Sequence, residues 1–446
     1  MKDVGSLTLL VGAAFAVRWM AGEIGPSNRH AASLMTLGLL LITAWLVGRL
    51  FERIKLPKVT GFLVLGLLTG PAVLGIVGKP QLADLNFVND LAVSLIAFTA
   101  GGEIRLEWLK GQLKRVLILL GIDITVLTAV ALALVFGVWG FVPFLRDEDG
   151  LTVTVIALLV GSVMIANSPT VVIAMISEYR ASGPLSQTTL AITVCKDLVL
   201  IVMFACVMAV GRSALGDAGL SLGFLAAIGV QLFGSFAVGG LAGLIMKWYV
   251  SRVTTALPMF VIGAGMLIAL IGEVHVSIAG SDVHLEPLLM ALTAGLALAN
   301  LWPERSEPLF RAIEETSLPV YCLFFALAGA KVDPSAFVTL WYLSLGLYVA
   351  RLGAVWLGVT VGAHVAGWRE PWARRLFTGL VPQAGVSFVL VTVIAAGFGE
   401  LGWGRAVRDV LIGMIVLNEL TGPVAFRYAL FSSGEAHAEK ERPQAA

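Results

Sequence analysis

Two opposite charges stand side by side in an apolar run of the sequence. The run is LAITVCKDLVLIVMFACVMAV, residues 190–210, and its charges are Lys196 and Asp197. Ionisable side chains inside such runs are energetically costly and are functional candidates by default. A carboxylate can bind a proton, and its oxygens are also ligands for hard cations. Asp197 is therefore a functional candidate whose carboxylate could bind a proton or a cation.

A polar cluster with a proline lies in the preceding apolar run. The segment GSVMIANSPTVVIAM contains Asn167, Ser168, Pro169 and Thr170 near its centre. Proline removes a backbone N–H and clashes with the preceding turn, and in lipid the freed carbonyls need other partners. One interpretation is a broken helix whose open backbone faces an ion site, and the alternative is a simple proline kink.

A second cluster of this kind occurs near the other end of the chain, in GLVPQAGVSFVLV, residues 379–391. It contains Pro382, Gln383 and Gly385 and lies seven predicted helices after the first cluster, so the two would cross the membrane in opposite directions. Each cluster precedes an apolar run with a polar dipeptide, KD after the first and NE after the second. Paired broken helices in inverted halves are typical of the midplane site of a secondary transporter.

Four further ionisable residues fall inside apolar runs, namely Asp90, Asp123, Arg351 and Glu419. The alternative to a functional role is an internal salt bridge that orients two helices, and for Asp90 and Asp123 both interpretations stay open.

The composition indicates the class of protein that must position these residues. The chain has 446 residues, of which 58% are hydrophobic and 13% charged, against about 25% charged in soluble domains. Apolar runs of about 20 residues, the length of one helical crossing, follow one another almost end to end. An open sheet would leave its edges in lipid, and the alternation of barrel strands is absent. We therefore predict an all-α polytopic membrane protein.

Apolar-run length predicts about fourteen helices within residues 1–431, followed by a disordered cytoplasmic tail over 432–446. With that count, the side that holds both termini carries about 20 of the 30 Lys and Arg residues and the other side about 8, which predicts cytoplasmic termini. The approximate spans are 5–21, 32–51, 59–78, 86–102, 113–142, 150–177, 184–211, 219–249, 257–279, 284–301, 308–331, 336–366, 373–398 and 404–431.

The remaining composition argues against other functions. The net charge of +1 provides no basic face for nucleic acid. The three cysteines lie in apolar runs, which favours packing over a disulfide or a metal site. The five histidines form no catalytic motif, so we expect neither an enzyme nor a cofactor. His275 and His284 lie in a polar stretch that we interpret as a solvated loop, with a pH sensor as the alternative.

An ordered set of segments resembles the monovalent cation:proton antiporters, especially the Kef-type and bacterial sodium/proton exchangers. The resemblance extends over nearly the whole predicted transmembrane region, and we expect no Kef-type nucleotide-binding regulatory domain. The segments are GFLVLGLLTGPAVLGIV (61–77), LIAFTAGGEIRLEWLK (95–110), ANSPTVVIAM (166–175), the helix around Asp197, LFFALAGAKVDPSAF (323–337), GLVPQAGVSFVLV (379–391) and LIGMIVLNELTGPVAF (411–426).

The resemblance implies a fold of two inverted repeats with two broken crossing helices. With one extra helix at the start, the expected total is about 13–14 transmembrane helices. It also implies a homodimer in a bacterial-type inner or plasma membrane. Core helices around residues 86–211 and 308–431 would move, and the other helices would form the dimer scaffold.

The resemblance also implies a set of site residues. Asp197 matches the aspartate that binds either the cation or protons, and Thr193 matches a hydroxyl one helical turn earlier that helps to coordinate the cation. The first broken helix adds Asn167, Ser168 and Thr170. The only metal expected is therefore the transported alkali cation at Asp197.

The resemblance assigns a role to the basic residue Arg351 but not to Lys196. Arg351 matches a basic residue that the family carries in the helix before the second broken one, where it would compensate charge. Relatives have Asp, Asn or Gln where this chain has Lys196, and three interpretations of Lys196 stay open. It is a structural cation paired with Asp90, Glu103 or Glu419, a second proton carrier, or a tethered surrogate cation in the site.

The expected function is exchange of Na⁺ or K⁺ for protons by alternating access. The alternatives are a passive channel, a transporter of another solute on the same fold, and a membrane sensor that has lost transport because of Lys196. A channel would need carbonyl or charge rings, and no such filter sequence stands out.

Overall fold

A computed structural model describes residues 29–436 except 105, 216–221, 253–256, 273, 279–280 and 333–334. The predicted first helix, 5–21, lies outside the described residues. In chain order the helices are α1 Arg29–Arg53, α2 Lys58–Thr69, α3 Lys79–Asp84, α4 Asn86–Glu103, α5 Leu106–Val138, α6 Pro143–Arg146, α7 Gly150–Ile165, α8 Pro169–Tyr179, α9 Pro184–Leu215, α10 Leu222–Val250, α11 Leu257–Gly272, α12 Pro287–Leu301, α13 Pro303–Lys331, α14 Ser335–Val365, α15 Leu376–Gly379, α16 Gly385–Phe398 and α17 Gly402–Ser432.

Seven of the described helices are long and apolar enough to cross a membrane, and five shorter apolar helices accompany them. Local sequence signals place the helix ends. Asp149, for example, caps α7 by accepting a hydrogen bond from the Thr152 N–H at 3.0 Å. Its bonds to Thr152 hold the pKa of the Asp149 carboxyl below its usual value, since an N-cap carboxylate is favoured in its charged form.

The predicted span 257–279 is too long at its C-terminal end. Helix α11 ends at Gly272, and strands β1 His275–Ile278 and β2 Ser281–His284 form an antiparallel hairpin in which His275 pairs with His284. The polar stretch that we interpreted as a loop is thus a short hairpin. In β1 the β-branched residues Val276 and Ile278 alternate with polar ones, which favours extended backbone over helix.

The predicted tail, 432–446, is ordered in the part that the structure describes. Ser432 is the last residue of α17, residues 433–436 are described, and the Glu435 side chain is buried. A charged residue is buried only where partners replace water, and here the partners are Leu185 and Ser186.

The chain divides into two compact units, and both are assembled from two separate stretches of sequence. Unit 1 contains Met1–Arg105 and Ser221–Ser335, and unit 2 contains Leu106–Leu220 and Ala336–Ala446. The predicted core segments, 86–211 and 308–431, extend across these boundaries into unit 1. Their role as the moving part stays a prediction.

Unit 1 is organised around the contact of α4 with α12, to which α10 and α13 add further packing. Gly101 of α4 and Gly295 of α12 lie at the crossing. A Cβ at Gly101 would collide with the Leu292 carbonyl, and a Cβ at Gly295 with the Phe98 carbonyl. Small residues at such crossings let helix backbones approach closely, which is a common way to pack helices in lipid.

Unit 2 repeats one order of elements. A long helix is followed by a broken helix and then by a long helix with a polar dipeptide: α5, α7–α8 and α9 in the first stretch, α14, α15–α16 and α17 in the second. Helix α7 packs on α5 and α9, and α17 packs on α15 and α16. Both predicted broken helices lie in this unit.

We predict that Gly295→Ala destabilises the protein, because the added methyl group meets a backbone carbonyl that cannot move aside. Overpacking of this kind costs about 1–3 kcal/mol, which a lower thermal unfolding temperature in detergent would report. Gly240→Ala in α10 is the matched control, since a Cβ there meets nothing within 4 Å. Equal melting temperatures for the two variants would contradict the packing argument.

Candidate functional site

The first broken helix is interrupted at residues 166–168. Helix α7 ends at Ile165, and α8 begins with Pro169 in its first turn, where the missing N–H of proline is harmless. The Ser168 hydroxyl caps α8 by accepting from the Val171 N–H at 3.2 Å and lies 2.8 Å from the Thr170 hydroxyl. The prediction of a broken helix rather than a simple kink is confirmed.

The second broken helix is interrupted at residues 380–384, between α15 and α16, and it touches the first one. The backbone N–H of Ser168 donates to the Pro382 carbonyl at 2.9 Å. The Gln383 side-chain amide donates to the carbonyls of Val163 at 2.8 Å and Ala166 at 3.0 Å. Pro382 and Gln383 thus lie in the second interruption, where they connect the two unwound segments, while Gly385 is the first residue of α16.

Arg351 of α14 holds this crossing together. Its guanidinium is fully buried and makes five hydrogen bonds, as many as it has N–H donors. Four go to main-chain carbonyls at the ends of the two interrupted helices, and the fifth goes to a side-chain amide. The acceptors are Met164 O at 2.9 Å, Ala166 O at 2.8 Å, Leu380 O at 3.2 Å, Val381 O at 2.9 Å and Asn418 Oδ1 at 2.8 Å.

Asn418 of α17 links the same groups from the other side. Its amide nitrogen donates to Gln383 Oε1 at 3.1 Å and to the Met414 carbonyl at 2.8 Å. Its neighbour Glu419 is also buried, and Oε1 of Glu419 has no hydrogen-bond partner among the described residues. The two residues of the α17 dipeptide therefore have different roles, and Asn418 is the one that supports the crossing.

The two residues of the α9 dipeptide, Lys196 and Asp197, also differ in their contacts. Lys196 Nζ donates to Asp123 Oδ2 of α5 at 2.6 Å, and both side chains are fully buried. Gly358 of α14 lies against this carboxylate, and a Cβ there would be 2.7 Å from Asp123 Oδ1. Lys196 therefore has the structural partner that one interpretation required, but the partner is Asp123. Among the partners expected from the sequence, Glu419 forms no hydrogen bond or ion pair with Lys196 in the described part of the chain, and Asp90 lies on α4.

Asp197 follows Lys196 on α9 and is 7% exposed, whereas Thr193 is fully buried. The two are four residues apart, so they share one face of the helix, while Lys196 is rotated by about 100° from Asp197. The Thr193 hydroxyl donates to the Leu190 carbonyl at 2.8 Å, which leaves its oxygen lone pairs as acceptors. A carboxylate and a hydroxyl oxygen on one face are suitable ligands for a small hard cation.

Asn167 is the other polar side chain of interest at the first interruption. It is 1% exposed, and neither its amide oxygen nor its amide nitrogen has a hydrogen-bond partner among the described residues. Buried side-chain amides are nearly always hydrogen-bonded, so this one calls for a further partner. An amide oxygen is also a cation ligand, and α8 packs directly on α9.

Two residues of this arrangement could be identified only in part from the sequence. For Asp123 the internal salt bridge was one of two open interpretations, and its ion pair with Lys196 favours that one. Asn418 is visible in the sequence only as part of a polar dipeptide. A balance of buried charges would have suggested Asp123, because Lys196 needs a buried counter-charge. No comparable signal identifies Asn418 as the amide that joins Arg351 to Gln383.

The fold and this crossing define a class of protein, a multi-pass transporter with its polar site at two broken helices. Comparison with known proteins makes the assignment specific. Residues 38–433 match the family described as sodium/hydrogen exchanger, transmembrane. The chain belongs to this family, which confirms the resemblance to the monovalent cation:proton antiporters.

Several known proteins are similar to the chain. The probable Na(+)/H(+) antiporter GerT of Bacillus cereus is 24% identical over 79% of this chain and 88% of its own length. The Na(+)/H(+)-K(+) antiporter GerN of Bacillus cereus is 23% identical over 90% and 97%. The ammonium/H(+) antiporter subunit AmhT of Alkalihalophilus pseudofirmus is 25% identical over 73% and 80%.

A solved structure has the same fold. The sodium proton antiporter MjNhaP1 from Methanocaldococcus jannaschii aligns with a TM-score of 0.70 at 18% identity, over 91% of this chain and 99% of that one. The predicted all-α exchanger fold is thereby confirmed.

We predict that Arg351→Lys destabilises the protein strongly. Three ammonium donors cannot satisfy five acceptors, and each buried carbonyl left without a donor costs about 1–3 kcal/mol. Thermal unfolding in detergent would measure the loss. Arg408→Lys is the control, because Arg408 is 41% exposed and pairs with the adjacent Asp409; a comparable loss in that variant would contradict the proposed role of the crossing.

We predict that Lys196→Met and Asp123→Leu each destabilise the protein and that the double variant recovers most of the loss. Removing one partner leaves a buried charge unpaired, at about 3–5 kcal/mol, whereas replacing both by apolar residues is often nearly neutral. A double-mutant cycle of unfolding free energies gives the coupling. Additive losses would show that the two side chains do not act as a pair.

Proposed function

We propose that the protein exchanges Na⁺ or K⁺ for protons by alternating access, with Asp197 as the group that binds one or the other. The observation that carries the proposal is the buried carboxylate on α9, one turn after a buried hydroxyl and on a helix that packs on both broken helices. The family of the chain supports the reaction type, and the geometry supports the choice of residue.

The ligands follow from the chemistry of a hard cation, which prefers oxygen. Asp197 supplies the negative charge, Thr193 a hydroxyl oxygen, and Asn167 an amide oxygen without a hydrogen-bond partner among the described residues. Ser168 and Thr170 are bonded to each other at 2.8 Å, so we assign them to shaping the interruption. Cation and proton compete for one carboxylate, and if only the loaded site crosses the membrane, exchange is obligatory.

The contact with Asp123 supports the structural interpretation of Lys196. The Lys196 ammonium lies 2.6 Å from Asp123 Oδ2 and is paired with this carboxylate of another helix. It is therefore a poor surrogate cation for Asp197. Together the two side chains form a neutral pair, and we propose that Asp197 rather than Lys196 exchanges the cation and the proton. The alternative of a membrane sensor depended on Lys196, and the contact of Lys196 with Asp123 removes that support.

The identity of the cation is a proposal drawn from the relatives. Their names specify Na⁺, Na⁺ with K⁺, and ammonium, so ammonium represents the alternative of another solute on the same fold. We further propose a homodimer in a bacterial-type plasma membrane with both termini cytoplasmic. Unit 2, which carries both interruptions, is the proposed ion-carrying core, and unit 1 is the proposed scaffold.

We predict that Asp197→Asn abolishes cation-driven pH change, since the amide carries no charge to exchange. Reconstituted vesicles with a trapped pH dye would be given Na⁺, K⁺, Li⁺ or ammonium gradients, with the voltage clamped by an ionophore. Asp409→Asn, a half-buried aspartate on α17 with its own arginine partner, is the control. Exchange that persists in Asp197→Asn would refute the site, and voltage-driven current that ignores the proton gradient would favour a channel.

A further inference from the structure

We infer that Glu435 is a positioning residue for exchange, because it clamps the start of α9 to the end of α17. This inference rests on the proposed function only for its kinetic consequence, since the contact itself is visible in the fold. The clamp consists of the Glu435 carboxylate and the first turn of the helix that carries Asp197.

The carboxylate fills the hydrogen-bonding needs of that first turn. Glu435 Oε1 accepts from the Leu185 N–H at 2.6 Å, and Oε2 accepts from the Ser186 N–H at 2.8 Å and the Ser186 hydroxyl at 2.6 Å. The Ser182 N–H donates to the Glu435 carbonyl at 3.1 Å. A negative charge at a helix N-terminus satisfies unpaired N–H groups and complements the helix dipole.

The local sequence is shaped for this contact on both sides. Helix α17 is followed by Gly434 at φ 76°, a left-handed conformation that glycine adopts without strain and that turns the chain back. The Glu435 N–H then donates to the Leu430 carbonyl at 3.1 Å. On the opposite side, a Cβ at Gly183 would collide with the Glu435 side chain. The residue at this position, just before α9, must therefore be glycine or shift the carboxylate.

Aromatic and cationic contacts join the same helix ends. Tyr179, the last residue of α8, meets the Phe431 ring edge-on at 5.2 Å between centroids. The Arg427 guanidinium lies 4.5 Å from the Phe431 centroid and 5.6 Å from that of Tyr179. The ends of α8 and α17 and the start of α9 are thus held together, and the Glu435 carboxylate provides the contact with α9.

The functional consequence follows from the stiffness of a continuous helix. Asp197 lies thirteen residues after Pro184, about 20 Å along α9 at 1.5 Å per residue. A clamp at the first turn fixes the position and rotation of the whole helix relative to α17, whose Asn418 belongs to the crossing. Glu435 touches no proposed cation ligand, so its loss affects the movement between states rather than cation affinity.

The test compares full-length Glu435→Ala, Glu435→Asp and Glu400→Ala with the unaltered protein. Hydrogen–deuterium exchange at the Leu185 and Ser186 amides reports on the clamp without any assumption about transport. We expect Glu435→Ala to speed their exchange about tenfold, because each amide loses a charged hydrogen-bond acceptor. Glu435→Asp should give a smaller effect, and Glu400→Ala, at an exposed site, should give none.

Kinetics in vesicles, normalised to folded protein, then test positioning. We expect kcat to fall about fivefold in Glu435→Ala, the ratio that a typical lost helix cap represents, with KM for Na⁺ unchanged. Partial recovery is expected in Glu435→Asp, and on adding formate to Glu435→Ala. A purely structural cap would raise amide exchange but leave kcat and KM per folded protein unchanged, which would overturn the inference, as would unchanged amide exchange. If the unaltered protein showed no cation–proton exchange in vesicles, the proposed function would be refuted, but the hydrogen–deuterium result for the clamp would still hold.

Discussion

The arrangement of the site depends on how the protein satisfies backbone carbonyls that two broken helices expose inside the membrane. Lipid offers no donors, so each open carbonyl must find one within the protein. Arg351 meets this need at both interruptions at once, with four of its five hydrogen bonds to main-chain carbonyls. Its positive charge also faces the negative ends of two helix dipoles. The arginine therefore compensates the partial charges of the backbone, and none of its five hydrogen bonds goes to a carboxylate.

The second constraint is the burial of side-chain charge on α9. A buried lysine needs a counter-charge, and Asp123 supplies it while tying α9 to α5. Gly358 leaves the space that the carboxylate needs. The pair is thus explained by charge balance and by packing.

Much of this could be predicted from the sequence, because the determining signals are local. Apolar-run lengths gave most helix positions, and Pro169 and Pro382 with their polar neighbours indicated both interruptions. The partners of Lys196 and Arg351 could not be predicted in the same way, because pairing depends on which helix faces which. Glu435 was hidden for a similar reason. It lies in a polar stretch of low hydropathy, and its buried position depends on donors about 250 residues away.

The contacts of the site also explain why two repeats are needed. Ser168 bonds to Pro382, Gln383 to Val163 and Ala166, and Arg351 to carbonyls of both interruptions. The Ser168 and Gln383 bonds, and the Arg351 bonds to Met164 and Ala166, join the stretch before residue 220 to the stretch after 336. The Arg351 bonds to Leu380 and Val381 stay within the second stretch. The first broken helix therefore takes its side-chain donors from the second stretch, and the second broken helix takes the Ser168 N–H from the first. The crossing is therefore a property of the pair, and an unwound segment is tolerated in lipid only because the second one meets it.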